Sequence, residues 1–366
     1  MMKIALVVPT IRQESVEEFI RRWDKVALFD NVTPIFIEDN PTTTFSLHEK
    51  TACIHMAWDD IDRELGDRTW IIPRRSDTVR SFGYYWAWKL GFERIMTLDD
   101  DCYPASGYEN LSVLHLKMLD GRTRWFNTLN SGKPRGMPYY NLGSRPVMVN
   151  HGLWTNVLDY DAPTQLAAPF EETFSHDNRV VSAGSYFPFC GMNAMWCREA
   201  TVLMYHLLMG HAYEEHTSLT GEGLGKYGFM KTGLGDSCAG YTPMTKLPFD
   251  RFGDIWCGII MKKICDELDW AVSSGTPYIR HERASNPFTN LKKEANGVEV
   301  NERFWEYIDR FDWDPMEMPV VDGHISIPAI YRKMGEHVGA YDEFKEHVRY
   351  FERLGVAMRG WAGLFE

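Results

Sequence analysis

The first hundred residues alternate between short apolar runs and segments of helical period, and that alternation restricts the chain to an α/β architecture. Residues 3–8 read as a fully buried strand, after which Val16, Phe19, Ile20, Trp23 and Ala27 recur at helical spacing. Residues 34–37 form a second strand, closed by the acidic, turn-rich Glu38-Asp39-Asn40-Pro41. Residues 70–72 read as another short strand. Val79, Phe82, Trp86 and Leu90 then make one apolar helical face, Gly91 stops that helix, and residues 95–98 return to strand. Strands that alternate with helices build a mostly parallel sheet covered by helices, and such sheets bind ligands at the carboxyl ends of their strands.

Asp99, Asp100 and Asp101 stand at one such end, directly after Arg94-Ile-Met-Thr-Leu98. On an extended chain alternate side chains share a face, so Asp99 and Asp101 are expected to reach one ligand while Asp100 points elsewhere. Oxygen ligands alone favour Mg²⁺ or Mn²⁺, ions held by a carboxylate or two plus the phosphates of a substrate. A solvated acidic turn that caps the next element accounts for the same residues.

Composition narrows the partners. The chain has 366 residues, 44% of them hydrophobic, and a net charge of −12. That is ample for a core. The charge argues against nucleic acid or an anionic membrane surface, both of which reward clustered basic residues, so an anionic nucleotide would need a metal and a few placed arginines. The seven cysteines are scattered, with no Cys-x-x-Cys pair, which implies a reducing cytoplasmic setting and no zinc site. The apolar start Ile4-Ala-Leu-Val-Val8 is too short for a signal-peptide core, and no later run reaches membrane-spanning length, so no integral membrane segment is expected.

From about Gly121 the periodicity breaks into short aromatic, Gly- and Pro-rich pieces, which suit a site wall of loops. Residues 210–248 are glycine-rich with little period and read as an insertion or lid. Gly221-Glu-Gly-Leu-Gly-Lys226 hints at a phosphate loop, but Tyr227 stands where Ser or Thr is required. His206, His211 and His216 fall on no common helical face and read as surface residues. Near the end, Tyr341, Phe344, Val348 and Phe351 form an amphipathic helix for which Gly355 is the expected stop. The division expected is a nucleotide-binding catalytic domain over residues 1–293 and a mainly helical extension over 294–366.

An ordered set of strings resembles one family. They are Val8-Pro-Thr-Ile-Arg12, Arg80-Ser-Phe-Gly-Tyr84, Leu98-Asp-Asp-Asp-Cys102, Trp125-Phe-Asn-Thr-Leu129 and Arg135-Gly-Met-Pro138, followed by His151-Gly-Leu-Trp154 and Asp159-Tyr-Asp-Ala-Pro-Thr-Gln165. Cys190-Gly-Met-Asn193, Arg251-Phe-Gly-Asp-Ile-Trp256 and Ala284-Ser-Asn-Pro-Phe288 complete the set. Together, over most of residues 3–293, they resemble the UDP-arabinopyranose mutases, also called reversibly glycosylated polypeptides, which are related to GT-A-type glycosyltransferases.

The resemblance implies a GT-A-like (Rossmann-like) mixed sheet, mostly parallel and flanked by helices, which binds a UDP-sugar with Mn²⁺ or Mg²⁺. It implies Asp101 as main metal ligand, Asp99 as a second ligand or ribose contact, and His281 as the late histidine of the shell. Asp39 would accept from the uracil N–H, although an Asx turn before Pro41 explains it too. Thr10 and Arg12 would line the base, and the Arg80 guanidinium would suit a phosphate or a base carbonyl. Asp100, His151, Trp154, Gly191 and Asn193 fall in the same strings and are assigned to nucleotide-sugar binding. Arg135 matches the arginine that accepts the sugar reversibly in the family, while Leu142 stands where the family carries a second arginine. Asp254 would be general base or stabiliser of an oxocarbenium-like centre, or a helix cap. Asp161, with Asp159, would meet sugar hydroxyls or shape the turn before Pro163, and no neighbour suggests activation of Cys190.

The activity so implied is a metal-dependent interconversion of pyranose and furanose forms of a UDP-sugar, with Arg135 holding the sugar in transit. A glycosyltransferase that serves an external acceptor is the alternative, and a UDP-sugar-binding subunit without turnover is a second. A homo- or hetero-oligomer is open on these grounds.

Overall fold

The computed structural model describes residues 2–47, 51–123, 145–167, 177–213, 244–282, 286–312, 320–321 and 324–366. Its strands are β1 (Ile4–Thr10), β2 (Thr33–Glu38), β3 (Ile54–Met56), β4 (Arg94–Leu98), β5 (Cys102–Pro104), β6 (Arg122–Thr123), β7 (Arg145–Asn156), β8 (Arg179–Val180), β9 (Asn193–Cys197), β10 (His211–Ala212), β11 (Thr245–Lys246), β12 (Ala271–His281), β13 (Val320–Val321) and β14 (His324–Ile325). The helices are α1 (Gln13–Asp24), α2 (Trp58–Leu65), α3 (Arg80–Lys89), α4 (Leu111–Leu119), α5 (Ala162–Ala167), α6 (Gly253–Glu267), α7 (Pro287–Asp309), α8 (Ile327–Gly339) and α9 (Val348–Ala362).

One sheet dominates, in the order β3-β2-β1-β4-β9-β7-β12-β5, with β6 beside β7 and β8 beside β12. β1 pairs in parallel with β2 and β4, and β2 with β3; β12 pairs in parallel with β7. β9 runs antiparallel to both β4 and β7, so β7 and β12 regain the direction of β1. This is the mostly parallel mixed sheet flanked by helices that the resemblance implies. One edge therefore receives the carboxyl ends of β1, β2, β4, β7 and β12 together with the amino end of the reversed β9, and the chemistry lies there.

The apolar runs account for the first half. Residues 4–8 are buried, and α1 packs its Val16, Phe19, Ile20 and Trp23 inward. α3 ends at Lys89, and Gly91 takes φ +77 just beyond it, as expected of a stop. Some expectations fail. Residues 70–72 are no strand: a 3₁₀ segment, Gly66–Ile71, occupies the place, and its apolar side chains are buried all the same. A run that short does not distinguish the two. Beyond Gly121 the described chain is not loops alone: β7, β9 and β12 complete the sheet, while loop residues such as Asp159, Gly191 and Arg251 do line a cavity. Gly275-Thr-Pro277 lies inside β12, at an irregular register against β7.

Gly355 does not stop a helix either. It lies within α9, and a Cβ there would come 2.5 Å from the Gly335 carbonyl oxygen and 2.6 Å from the Gly339 Cα. The glycine permits α8 and α9 to pack backbone against backbone. The C-terminal helices share the core of the sheet: the Trp361 indole stacks on Tyr205 at 5.0 Å and donates to the Val202 carbonyl at 2.8 Å. Among the described residues no helix is long and apolar enough to cross a membrane.

Candidate active site

At the carboxyl edge a cleft of about 800 Å³ runs between the ends of β1, β2 and β4, bounded by Thr10, Arg12, Asp39, Trp58, Arg75 and residues 99–101. A second cavity of about 220 Å³ adjoins it and shares Arg75, Ser76, Asp77, Arg80 and Asp99, adding Asp159, Gly191, Arg251 and Asp254. Carboxylates outnumber basic side chains in both.

The three aspartates fan out instead of alternating. The Cys102 amide donates to the Asp99 carbonyl at 3.1 Å, which closes a turn, so the expectation that Asp99 and Asp101 share a face does not hold. Asp99 Oδ1 takes the Arg80 Nη2 at 2.5 Å. Asp100, 6% exposed, accepts from Thr10 Oγ1 at 2.7 Å and lies 3.4 Å from Arg12 Nη2, tying the end of β4 to the end of β1. Asp101 turns the third way, toward His281, with 3.7 Å between its Oδ1 and His281 Nε2.

That pair fits a divalent cation. Asp101 Oδ1 is buried without a hydrogen-bond partner, and burial, followed by the charge of Asp99, pushes its carboxyl up to about 7. His281 Nδ1 lies 2.9 Å from the Val157 carbonyl, which makes Nδ1 the protonated nitrogen and leaves the lone pair of Nε2 facing Asp101. Asp101 Oδ1 and His281 Nε2 face one another at 3.7 Å, beyond hydrogen-bond reach, and a cation between them would satisfy both. Among the described residues no three His, Cys, Asp or Glu side chains converge into a full shell, and a diphosphate is the usual source of the missing oxygens.

Arg80 lies beneath the cleft and is 1% exposed. Its guanidinium also donates to the Gly191 carbonyl at 2.6 Å, Thr97 Oγ1 at 3.3 Å and the Asp77 carbonyl at 3.0 Å, so it pins α3 to β4 and to the approach to β9. Asp39 accepts from Trp58 Nε1 at 2.7 Å and from the amides of Arg75 and Ser76 at 3.0 and 2.9 Å. It thereby shapes the loop at residues 75–77.

In the smaller cavity Asp254 occupies the first turn of α6, where its Oδ1 takes the Ile255 amide at 2.9 Å and its Oδ2 the Gly191 amide at 3.2 Å. Burial first, then Asp77, pushes this carboxyl up to about 7. Asp159 is raised mainly by burial, and Arg251 Nη2 stands 3.9 Å from it. Asp161 is turned away from both cavities: it caps α5, taking the Thr164 amide at 3.0 Å and hydroxyl at 2.7 Å. Cys190 lines this cavity, and burial holds its thiol well above the ordinary range.

His151, Trp154 and Asn193 are not cleft residues. His151 packs among Trp154, Phe187 and Phe189 and lies 3.0 Å from Ser274 Oγ. Asn193 is fully buried and donates to the Leu153 and Pro277 carbonyls, both at 2.9 Å. Its Oδ1 accepts from His115 Nε2 at 3.0 Å, a histidine that burial pushes down to about 4 and keeps neutral. His206, expected at the surface, is buried and likewise pushed down, to about 3. Arg135 and Leu142 lie outside the described residues, as does most of 210–248. Arg75, Ser76, Asp77 and Trp58 carry no periodic signal; the one available hint was a serine ahead of a helix, and Ser76 Oγ indeed accepts from the Thr78 amide at 3.4 Å.

Sheet and cleft define an α/β protein with an acidic site at the carboxyl edge. The chain belongs to the reversibly glycosylated polypeptide family, whose profile matches residues 2–228 and 237–366. It is 31% identical to a probable UDP-arabinopyranose mutase 1 of Pisum sativum over 98% of this chain and 89% of that one. It is 33% identical to UDP-arabinopyranose mutase 3 of Arabidopsis thaliana over 83% and 75% of the two chains. Among solved structures, glucosyl-3-phosphoglycerate synthase from Mycobacterium tuberculosis, in complex with Mn²⁺, UDP and phosphoglyceric acid, superposes with a TM-score of 0.41 at 11% identity, over 83% of this chain and 78% of that one. That likeness is too distant to bear on the site.

Proposed function

We propose that the protein is a metal-dependent UDP-sugar mutase that interconverts the pyranose and furanose forms of a UDP-arabinose-like sugar. The observation that carries the reading is the convergence of Asp101 and His281 beside a nucleotide-sized cleft, in a chain whose relatives are named UDP-arabinopyranose mutases.

In this reading uridine lies in the larger cleft over Thr10 and Arg12, near the Asp39 loop, and the sugar lies in the smaller cavity. Asp101 and His281 hold Mn²⁺ or Mg²⁺, which would offset the charge that builds on departing UDP. Changing the ring requires the bond between the anomeric carbon and UDP to break, its electron pair leaving with UDP. The ring oxygen is then exchanged for the C4 oxygen, and UDP returns to the anomeric carbon. Asp254 and Asp159, half-buried acids at the sugar cavity, stabilise positive charge at that carbon and take up or return the hydroxyl proton. Arg135 is assigned the transient sugar, held against loss to water; as a protonated guanidinium it needs a carboxylate to accept its proton before it can attack.

The test is incubation with UDP-arabinopyranose and Mn²⁺, followed by NMR of the sugar and intact mass of the protein. A furanose product and a one-sugar mass gain reversed by excess UDP are expected. Binding of UDP with neither change would overturn the mutase reading and favour transfer to an external acceptor.

A further inference from the structure

We propose that Arg75 is the cation that grips the diphosphate of the bound nucleotide sugar, a role in this site that rests on the reading above. The cavities contain five basic side chains, Arg12, Arg75, Arg80, Arg251 and Lys293, and four of them already face carboxylates. Arg80 is buried and bound to Asp99. Arg12 lies 3.4 Å from Asp100, Arg251 Nε donates to Glu294 at 2.7 Å, and Lys293 lies 3.8 Å from Asp250. The Arg75 side chain is exposed and makes no ion pair or hydrogen bond among the described residues.

Its place is as informative as its freedom. Arg75 lines both cavities, and the diphosphate must lie where the base compartment meets the sugar compartment. The neighbouring Arg74 points inward, fully buried, with Nη2 2.9 Å from Asp62. Arg75 therefore projects outward. Its backbone has φ +54, a left-handed conformation that a β-carbon disfavours, and the Asp39 carboxylate holds it there through the Arg75 and Ser76 amides. Glycine would fit that backbone better. An arginine held in a disfavoured conformation, with a free guanidinium over a cleft of carboxylates, is suited to bidentate contact with phosphate oxygens.

Calorimetric titration with UDP in Mn²⁺, and ligand-observed NMR with uridine, should be run on wild type, Arg75→Ala, Arg75→Lys and Arg75→Gly. The Ala and Gly variants are expected to lose ~10- to 100-fold in UDP affinity, with Lys intermediate and uridine binding unchanged. Arg75→Gly, relieved of the φ strain, is expected to melt no lower than wild type, which separates lost affinity from lost folding. Wild-type UDP affinity retained in Arg75→Ala overturns the assignment alone. Equal losses for UDP and uridine also overturn it, making the residue a support for the Asp39 loop, whereas failure of wild type itself to bind UDP overturns the nucleotide-sugar reading with it.

Discussion

Asp101 and Asp254 are both half-buried acids raised to about 7, yet their surroundings give them different work. Asp101 has an oxygen without a partner and a histidine lone pair opposite, so its charge is best used against a cation. Asp101→Asn keeps the shape and removes that charge; UDP affinity in the variant is expected to become indifferent to Mn²⁺, and calorimetry with and without EDTA reads it. His281→Ala should reproduce the effect. Asp254 has amide donors on both oxygens. Its folded pKa lies above the ordinary carboxylate value, so the folded state holds its proton more tightly than the unfolded state. Its contribution to stability is therefore complete below pH ~4 and is lost as pH rises through ~7. Asp254→Asn removes that loss. The melting temperature of the variant minus that of wild type should increase between pH 5 and pH 8, and a difference that is flat with pH would show that Asp254 ionises normally.

At the scale of elements, the contact of α8 with α9 turns on Gly355. Alanine there would place its Cβ against backbone of Gly335 and Gly339, which cannot swing aside as a side chain can. Separating the helices should cost roughly 1–3 kcal/mol, or about 1–4 °C in melting temperature for a chain of this length, read by thermal unfolding in matched buffer. No melting change would mean that the helices sit further apart than 2.5 Å from that Cβ implies. Gly355 also shows what was legible beforehand. Glycine after an apolar period signals a helix end when nothing else is known, and only the partner helix reveals a close approach. β1, β2, β4, α1 and α3 were readable because most of their buried positions are apolar. β7, β9 and β12 were not, because they bury Asn150, His151, Asn193 and Ser273. The Asn150 amide donates to the Thr276 carbonyl at 3.1 Å while its Oδ1 takes Ser273 Oγ at 2.6 Å. Polar side chains satisfied by one another in a core look like loop residues in a sequence. The site was legible where it follows a strand, as at Asp39 and residues 99–101, and hidden where it lies on aperiodic chain, as at Arg75.

On the scale of the whole molecule, the site exists only when the sheet is complete, since Thr10, Asp39, Asp101 and His281 come from the ends of four strands spread through the chain. A ligand at that edge binds the folded state and stabilises it by mass action. With a net charge of −12 and carboxylates around the cleft, UDP by itself meets like charge, and a divalent ion by itself finds, among the described residues, the pair Asp101 and His281 but no full shell. Each supplies what the other lacks. At a free concentration a hundred times the dissociation constant, a ligand adds about 2.7 kcal/mol, which for this length is roughly 3–4 °C. Thermal unfolding with Mn²⁺, with UDP, and with both should therefore show a combined shift larger than the sum of the separate shifts. The same measurement on His281→Ala should return the two to simple addition, and a full shift from UDP in EDTA would take the metal out of nucleotide binding.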